Sequence, residues 1–173
     1  MNLPSTYLIS QVFIIIMFIF LGLSYFVKSR KKVLLFNAAA HIFQTVALVI
    51  VNHFTGASMA FITLLRDNIF LLDLKDGKND ISNNKIILII LFSLIILFTI
   101  FTYSGIYSLF SVIAVSLSTI GLWQKKVKVY KLLSIPANIM WLGYYIYINS
   151  FFGYILEGIL VICTIIGYFK NDK

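Results

Sequence analysis

Residues 28–56 read KSRKKVLLFNAAAHIFQTVALVIVNHFTG. A basic cluster, Lys28 to Lys32, opens the stretch, an apolar run over about 34–52 follows, and the uncharged turn His53-Phe54-Thr55 and Gly56 close it. An apolar run of roughly 17–25 residues crosses a ~30 Å hydrocarbon core as a helix. The stretch has a second copy. Moved along the chain by 97 residues without a gap, Lys28 falls on Lys125, Lys31 on Lys128, Ala40 on Ala137, Asn52 on Asn149, Phe54 on Phe151 and Gly56 on Gly153. Single identities are cheap in an apolar sequence. The coincidence of basic loop, uncharged turn and glycine is what indicates a repeat.

Outward from this stretch, seven apolar runs of spanning length lie at about 8–27, 34–52, 56–72, 85–102, 105–123, 131–148 and 153–169. Two kinds of connection alternate between them. Charged ones are Lys28–Lys32, Asp73–Lys85, Lys125–Lys131 and the tail from Lys170; uncharged ones are His53–Thr55, Thr102–Ser104 and Asn149–Phe152. Thirteen of the fourteen Lys and Arg residues fall in the charged connections, Arg66 being the exception. Basic loops stay on the cytoplasmic side, so the alternation places the N-terminus outside and the C-terminus inside. The expected fold is an all-α membrane protein of seven transmembrane helices. Residues 1–173 form one membrane domain: a three-helix repeat (about 8–72), a linker helix (about 85–102) and a second, parallel three-helix repeat (about 105–169). An offset of four spans preserves orientation, as in transporters whose repeats are related by an axis along the membrane normal. The linker run, Ile86 to Phe101, holds only Ser93 and Thr99 as polar residues, so it faces lipid or an apolar neighbour.

Composition supports a lipid environment: 61% of residues are hydrophobic and 12% charged, against about 25% charged in soluble domains. The net charge of +8 does not indicate nucleic acid, because the charges sit in short clusters between apolar runs and not on one face or tail. A single cysteine, Cys163, excludes an internal disulfide and a cysteine-rich metal site. The N-terminus lacks a basic n-region and a small-residue cleavage site, so the first run is read as a retained span. No H-E-x-x-H, G-x-S-x-G or P-loop pattern occurs, and His41 and His53 do not pair as metal ligands. No catalytic residue, metal or cofactor is expected; the chain reads as a protein other than an enzyme.

Polar side chains at membrane depth cost free energy and each calls for a reason. Asn37, His41 and Gln44 stand at i, i+4 and i+7, on one face of the second span. The matching positions in the sixth are Ser134, Asn138 and Trp141, continued by Tyr145. At 1.5 Å per residue, Gln44 and Trp141 lie about 15 Å from the start of their runs, near the midplane, and Arg66 reaches a similar depth. Glu157 lies only about 6 Å beyond Gly153. Each has an ordinary alternative: interhelical hydrogen bonding for Asn37, His41, Gln44 and Asn138, packing for Trp141, an interfacial position for Glu157, and for Arg66 a reach toward the cytoplasm beside Asp67 and Asp73. Ser104, Ser108, Ser111 and Ser118 form a small-residue stripe suited to close helix packing or to a hydrated wall. Pro136 removes one backbone donor in the sixth span and marks a candidate hinge.

The chain resembles the YgjV family of small bacterial inner-membrane proteins. The features that carry the likeness are the basic loop entering the second span, Thr55-Gly56-Ala57-Ser58 leading to Leu65-Arg66, the stretch Ser116 to Trp123, and Gly153-Tyr154-Ile155-Leu156-Glu157-Gly158. The resemblance implies a multi-pass protein of the bacterial cytoplasmic membrane. The three-plus-one-plus-three plan is similar to that of the SWEET sugar carriers and the PnuC vitamin-precursor transporters. In SWEET carriers Asn and Trp near the midplane hold the substrate; Asn138 and Trp141 are comparable in type and depth, and His41 and Gln44 take those places in the first repeat. The expected function is a facilitator or secondary transporter of a small polar or anionic solute. Asn37, His41, Gln44, Arg66, Asn138, Trp141 and Glu157 form its candidate substrate-binding set. The alternative is a non-transporting membrane sensor or an accessory subunit of a membrane complex. Expected partners are the lipid bilayer and the solute, with a homo-oligomer left open and nucleic acid excluded.

Overall fold

In a lipid core the backbone must satisfy its own hydrogen bonds, and long apolar runs therefore become helices. A computed structural model describes residues 5–76 and 84–170, and within them every regular element is a helix. The seven are α1 (Ser5–Phe26), α2 (Arg30–Ile50), α3 (Phe54–Asp76), α4 (Lys85–Thr102), α5 (Ser108–Trp123), α6 (Val127–Tyr147) and α7 (Phe151–Lys170). Among the described residues, α1, α2, α4 and α7 are long and apolar enough to cross a membrane. Helix α5 is apolar but has 16 residues. The connection over 77–83 and the tail beyond Lys170 lie outside the described residues.

The helices differ from the apolar runs at their ends for identifiable reasons. Helices α2 and α6 begin at Arg30 and Val127, inside the basic clusters, because lysine and arginine are good helix formers and only the hydrophobicity stops there. Helix α5 begins at Ser108, three residues later than its apolar run, because Gly105 takes φ 131° and interrupts the chain. The uncharged turns after α2 and α6 are closed by asparagine in the left-handed conformation, Asn52 at φ 59° and Asn149 at φ 53°. In each, the next residue bonds back over the helix end: His53 N–H to the Leu48 carbonyl at 2.9 Å and Ser150 N–H to that of Tyr145 at 3.1 Å. This is the Schellman stop, in which asparagine replaces the usual glycine.

Helices α1, α2 and α3 pack in sequence, as do α5, α6 and α7. Contacts of α1 with α7 and of α3 with α5 join the two groups, and α4 lies against α3 and α5. Only Leu91 and Ile95 of α4 are buried; its other faces are open and apolar, as a lipid-facing helix requires. Hydrogen bonds between distant segments tie both ends of the bundle. At one end the Tyr7 hydroxyl donates to the Asn149 carbonyl, Ser10 donates to that of Ala47, and Thr55 donates to that of Thr102. At the other, Arg30 donates to the Leu122 carbonyl at 2.8 Å and buried Lys131 to those of Val27 and Gly167. These last contacts place cations on the carbonyl-rich ends of α5, α1 and α7, where the helix dipoles favour them.

Candidate functional site

The polar stripe of α2 faces inward against α3 and α6. His41 Nδ1 lies 2.8 Å from Asp67 Oδ2 on α3. The other carboxylate oxygen of Asp67 accepts from Arg66, from Nε at 2.9 Å and from one terminal nitrogen at 2.8 Å. The second terminal nitrogen of Arg66 donates across to α5, to Ser118 at 2.9 Å and Thr119 at 3.2 Å. Arg66 is 1% exposed and Asp67 not at all. A buried guanidinium and carboxylate remain charged only where each is paired and its remaining hydrogen-bonding groups are satisfied. Here the charges cancel within adjacent residues. Arg66 is thus held in the interior between Asp67 and α5.

The facing helices supply a second, uncharged set. The Tyr25 hydroxyl on α1 donates to Asn138 Oδ1 at 3.1 Å, and Asn138 Nδ2 donates to Thr164 of α7 at 2.9 Å. Gln44 Nε2 donates to the Tyr145 hydroxyl at 3.0 Å, and Asn37 Nδ2 to that of Tyr130 at 2.7 Å. Trp141 stands edge-on to Tyr144 and tilted on Tyr145. Glu157, 2% exposed, makes no hydrogen bond and no ion pair with any described residue.

Between these groups lies a cavity of about 30 Å³, bordered by His41, Gln44, Arg66, Asn138, Trp141 and Glu157. That is room for one or two waters, and the walls are polar enough to hold them. Six of the seven candidate residues therefore border one space; Asn37 does not, and bonds to Tyr130 beside it. Tyr25, Tyr130, Thr63, Ser118 and Ser134 add hydroxyls to the wall, and Leu21 and Ala137 form its apolar part. Tyr25, Tyr130 and Thr164 escaped the sequence reading, because a tyrosine or threonine in an apolar run looks like ordinary packing. A usable signal existed for Thr164, which stands 97 residues after Asp67 as Asn138 does after His41. Among the described residues no three His, Cys, Asp or Glu side chains gather as metal ligands.

Apolar helices around a buried, hydrogen-bonded polar centre define a multi-pass helical membrane protein. More narrowly, the chain belongs to the Imp-YgjV family of bacterial inner membrane proteins, whose family model matches residues 8–173. No curated protein and no solved structure matches it, so no match ties the chain to the SWEET or PnuC carriers.

Proposed function

We propose that the chain is a secondary carrier or facilitator for a small polar solute, not an enzyme. In this reading seven spans form two parallel three-helix repeats joined by α4, with the N-terminus outside and the C-terminus in the cytoplasm. Support for the repeat comes from equivalences at the 97-residue offset. The bounds of α2, 30–50, become those of α6, 127–147. The left-handed Asn52 becomes Asn149, and the helix-stopping bond His53–Leu48 becomes Ser150–Tyr145. In the polar centre, the His41–Asp67 pair becomes Asn138–Thr164. The contact of α1 with α7 has its counterpart in that of α5 with α3.

The observation that carries the reading is the polar cavity itself, walled by α1, α2 and α3 on one side and α5, α6 and α7 on the other. A site at the junction of two repeats and at membrane depth is where alternating access by rocking bundles operates. Because Asp67 neutralises Arg66, the charges favour a polar solute over an anionic one. A second reading, a sensor or accessory subunit, draws on a specific observation too: the cavity holds a water or two and most of its polar groups already satisfy one another. The two are separated by a cysteine at the cavity wall (Ser134→Cys) in a Cys163→Ser background. A carrier exposes it in turn to impermeant thiol reagents added from either side of the membrane. Protection from both sides, in folded protein, favours the sensor or subunit and counts against the carrier.

A further inference from the structure

We propose that Glu157 is a proton-binding site and that the proton it takes up drives the carrier. The second half rests on the carrier reading above; the first does not. Glu157 projects from α7 onto the cavity, 2% exposed and without a hydrogen bond or ion pair to any described residue. An ionised carboxylate in that condition is among the costliest groups a membrane interior can hold. The neutral acid is far cheaper there, and the cavity waters can serve its hydroxyl.

The surrounding charges leave Glu157 without a counter-ion. On α3 the guanidinium of Arg66 is spent on Asp67, Ser118 and Thr119. On α2, His41 turns Nδ1 to Asp67 and leaves its other ring nitrogen without a protein partner among the described residues. Helix α1 contributes Tyr25, whose hydroxyl is given to Asn138. Helix α6 contributes Tyr130 and Tyr145, which receive the amides of Asn37 and Gln44, and Lys131, which is directed to carbonyls at the far end. Helix α5 brings the Ser118 hydroxyl to the wall. The position 97 residues earlier is Ala60, so the acid belongs to one side of the cavity alone. The step is a simple exchange. With the cavity open outward, the carboxylate takes a proton from water and the solute enters beside the neutral acid; the two cross the closed state together; with the cavity open inward, the O–H bond breaks, the proton passes to cytoplasmic water and the solute leaves with it.

Infrared spectroscopy of the full chain in liposomes tests the first half, since a protonated carboxyl has its own carbonyl band. One such band at neutral pH is expected, lost in Glu157→Gln and displaced in Glu157→Asp. Folded wild-type protein without the band overturns the proton site. The second half is read from a panel of radiolabelled polar solutes under an imposed pH gradient. Wild-type liposomes should accumulate the transported solute above its external concentration, and Glu157→Gln liposomes should only equilibrate it. Accumulation retained in Glu157→Gln overturns the coupling. If the band behaves as expected but no solute crosses in wild type, the carrier reading fails, and the coupling with it, while the proton site stands.

Discussion

Asp67 is the residue on which the polar centre turns, since its two oxygens answer Arg66 on one side and His41 on the other. Removing its charge strands a guanidinium in the interior, a loss that costs about 3–5 kcal/mol when one partner of a buried pair is deleted. Asp67→Asn is therefore expected to lower the thermal unfolding midpoint in detergent far more than Asp67→Glu does. An unchanged midpoint in Asp67→Asn would show that Arg66 finds its compensation elsewhere. The same geometry decides a charge exchange: Arg66→Glu with Glu157→Arg should not restore the folded yield lost in the single variants, because Arg66 pairs with its neighbour and not with Glu157. His53 behaves differently, as it sits in the turn between α2 and α3 and is half-buried. Burial pushes its imidazole below the ordinary 6.5. The unfolded chain thus binds the proton more readily, and stability falls as pH drops below about 6.5 toward the folded value. His53→Gln should flatten that acid limb in melting curves recorded across the range. The change is small, since solvent screens a half-exposed group.

Helices α2 and α6 show what the sequence carried and what it did not. Their basic loops, apolar runs and uncharged turns were legible because each states a local preference, whereas their starts inside the basic clusters and their asparagine stops were not. The stripe of Asn37, His41 and Gln44 was legible as a face, but a face does not name its neighbour. The partners Asp67, Tyr130 and Tyr145 depend on which helices meet, and hydrophobic periodicity is silent on that. Arg66 stood out by cost alone, whereas its counter-charge was the adjacent residue and looked like part of a cytoplasmic cluster. The late start of α5 was missed because one glycine does not interrupt an apolar run. Close approach fixes another element, α3, at Gly56: its N–H donates to the Tyr144 hydroxyl at 3.1 Å, and an added Cβ would stand 2.5 Å from that oxygen. Gly56→Ala should cost about 1–3 kcal/mol by overpacking, seen as a lower melting midpoint. By contrast, Leu91→Ile or Ile95→Leu on α4 should stay under about 1.5 kcal/mol and leave transport unchanged. A selective loss of transport in either would place α4 on the solute path.

Both ends of the bundle are tied by hydrogen bonds that cross between the helix groups. The end assigned to the outside is tied by Gln11, whose amide donates to Ser150 at 3.3 Å and whose carbonyl oxygen accepts from the Phe152 N–H at 3.1 Å. The end assigned to the cytoplasm is tied by Arg30 and Lys131. The orientation has its own measurement: single cysteines at exposed Ser5 and Asn149 should react with an impermeant reagent in intact cells, and one at exposed Ser29 only after lysis. Labelling at position 29 in intact cells would reverse the topology. In the proposed carrier, rocking must break one set of ties while the other holds, so weakening one set shifts the population toward opening on that side. Gln11→Ala removes the outer tie without touching the cavity. It is expected to raise the reactivity of the cysteine at 134 toward external reagent several-fold and to lower it toward reagent added from inside. Equal gains from both sides would mean that the substitution loosens the fold instead of releasing a gate. No change from either side would mean that Gln11 is not part of what keeps the cavity closed.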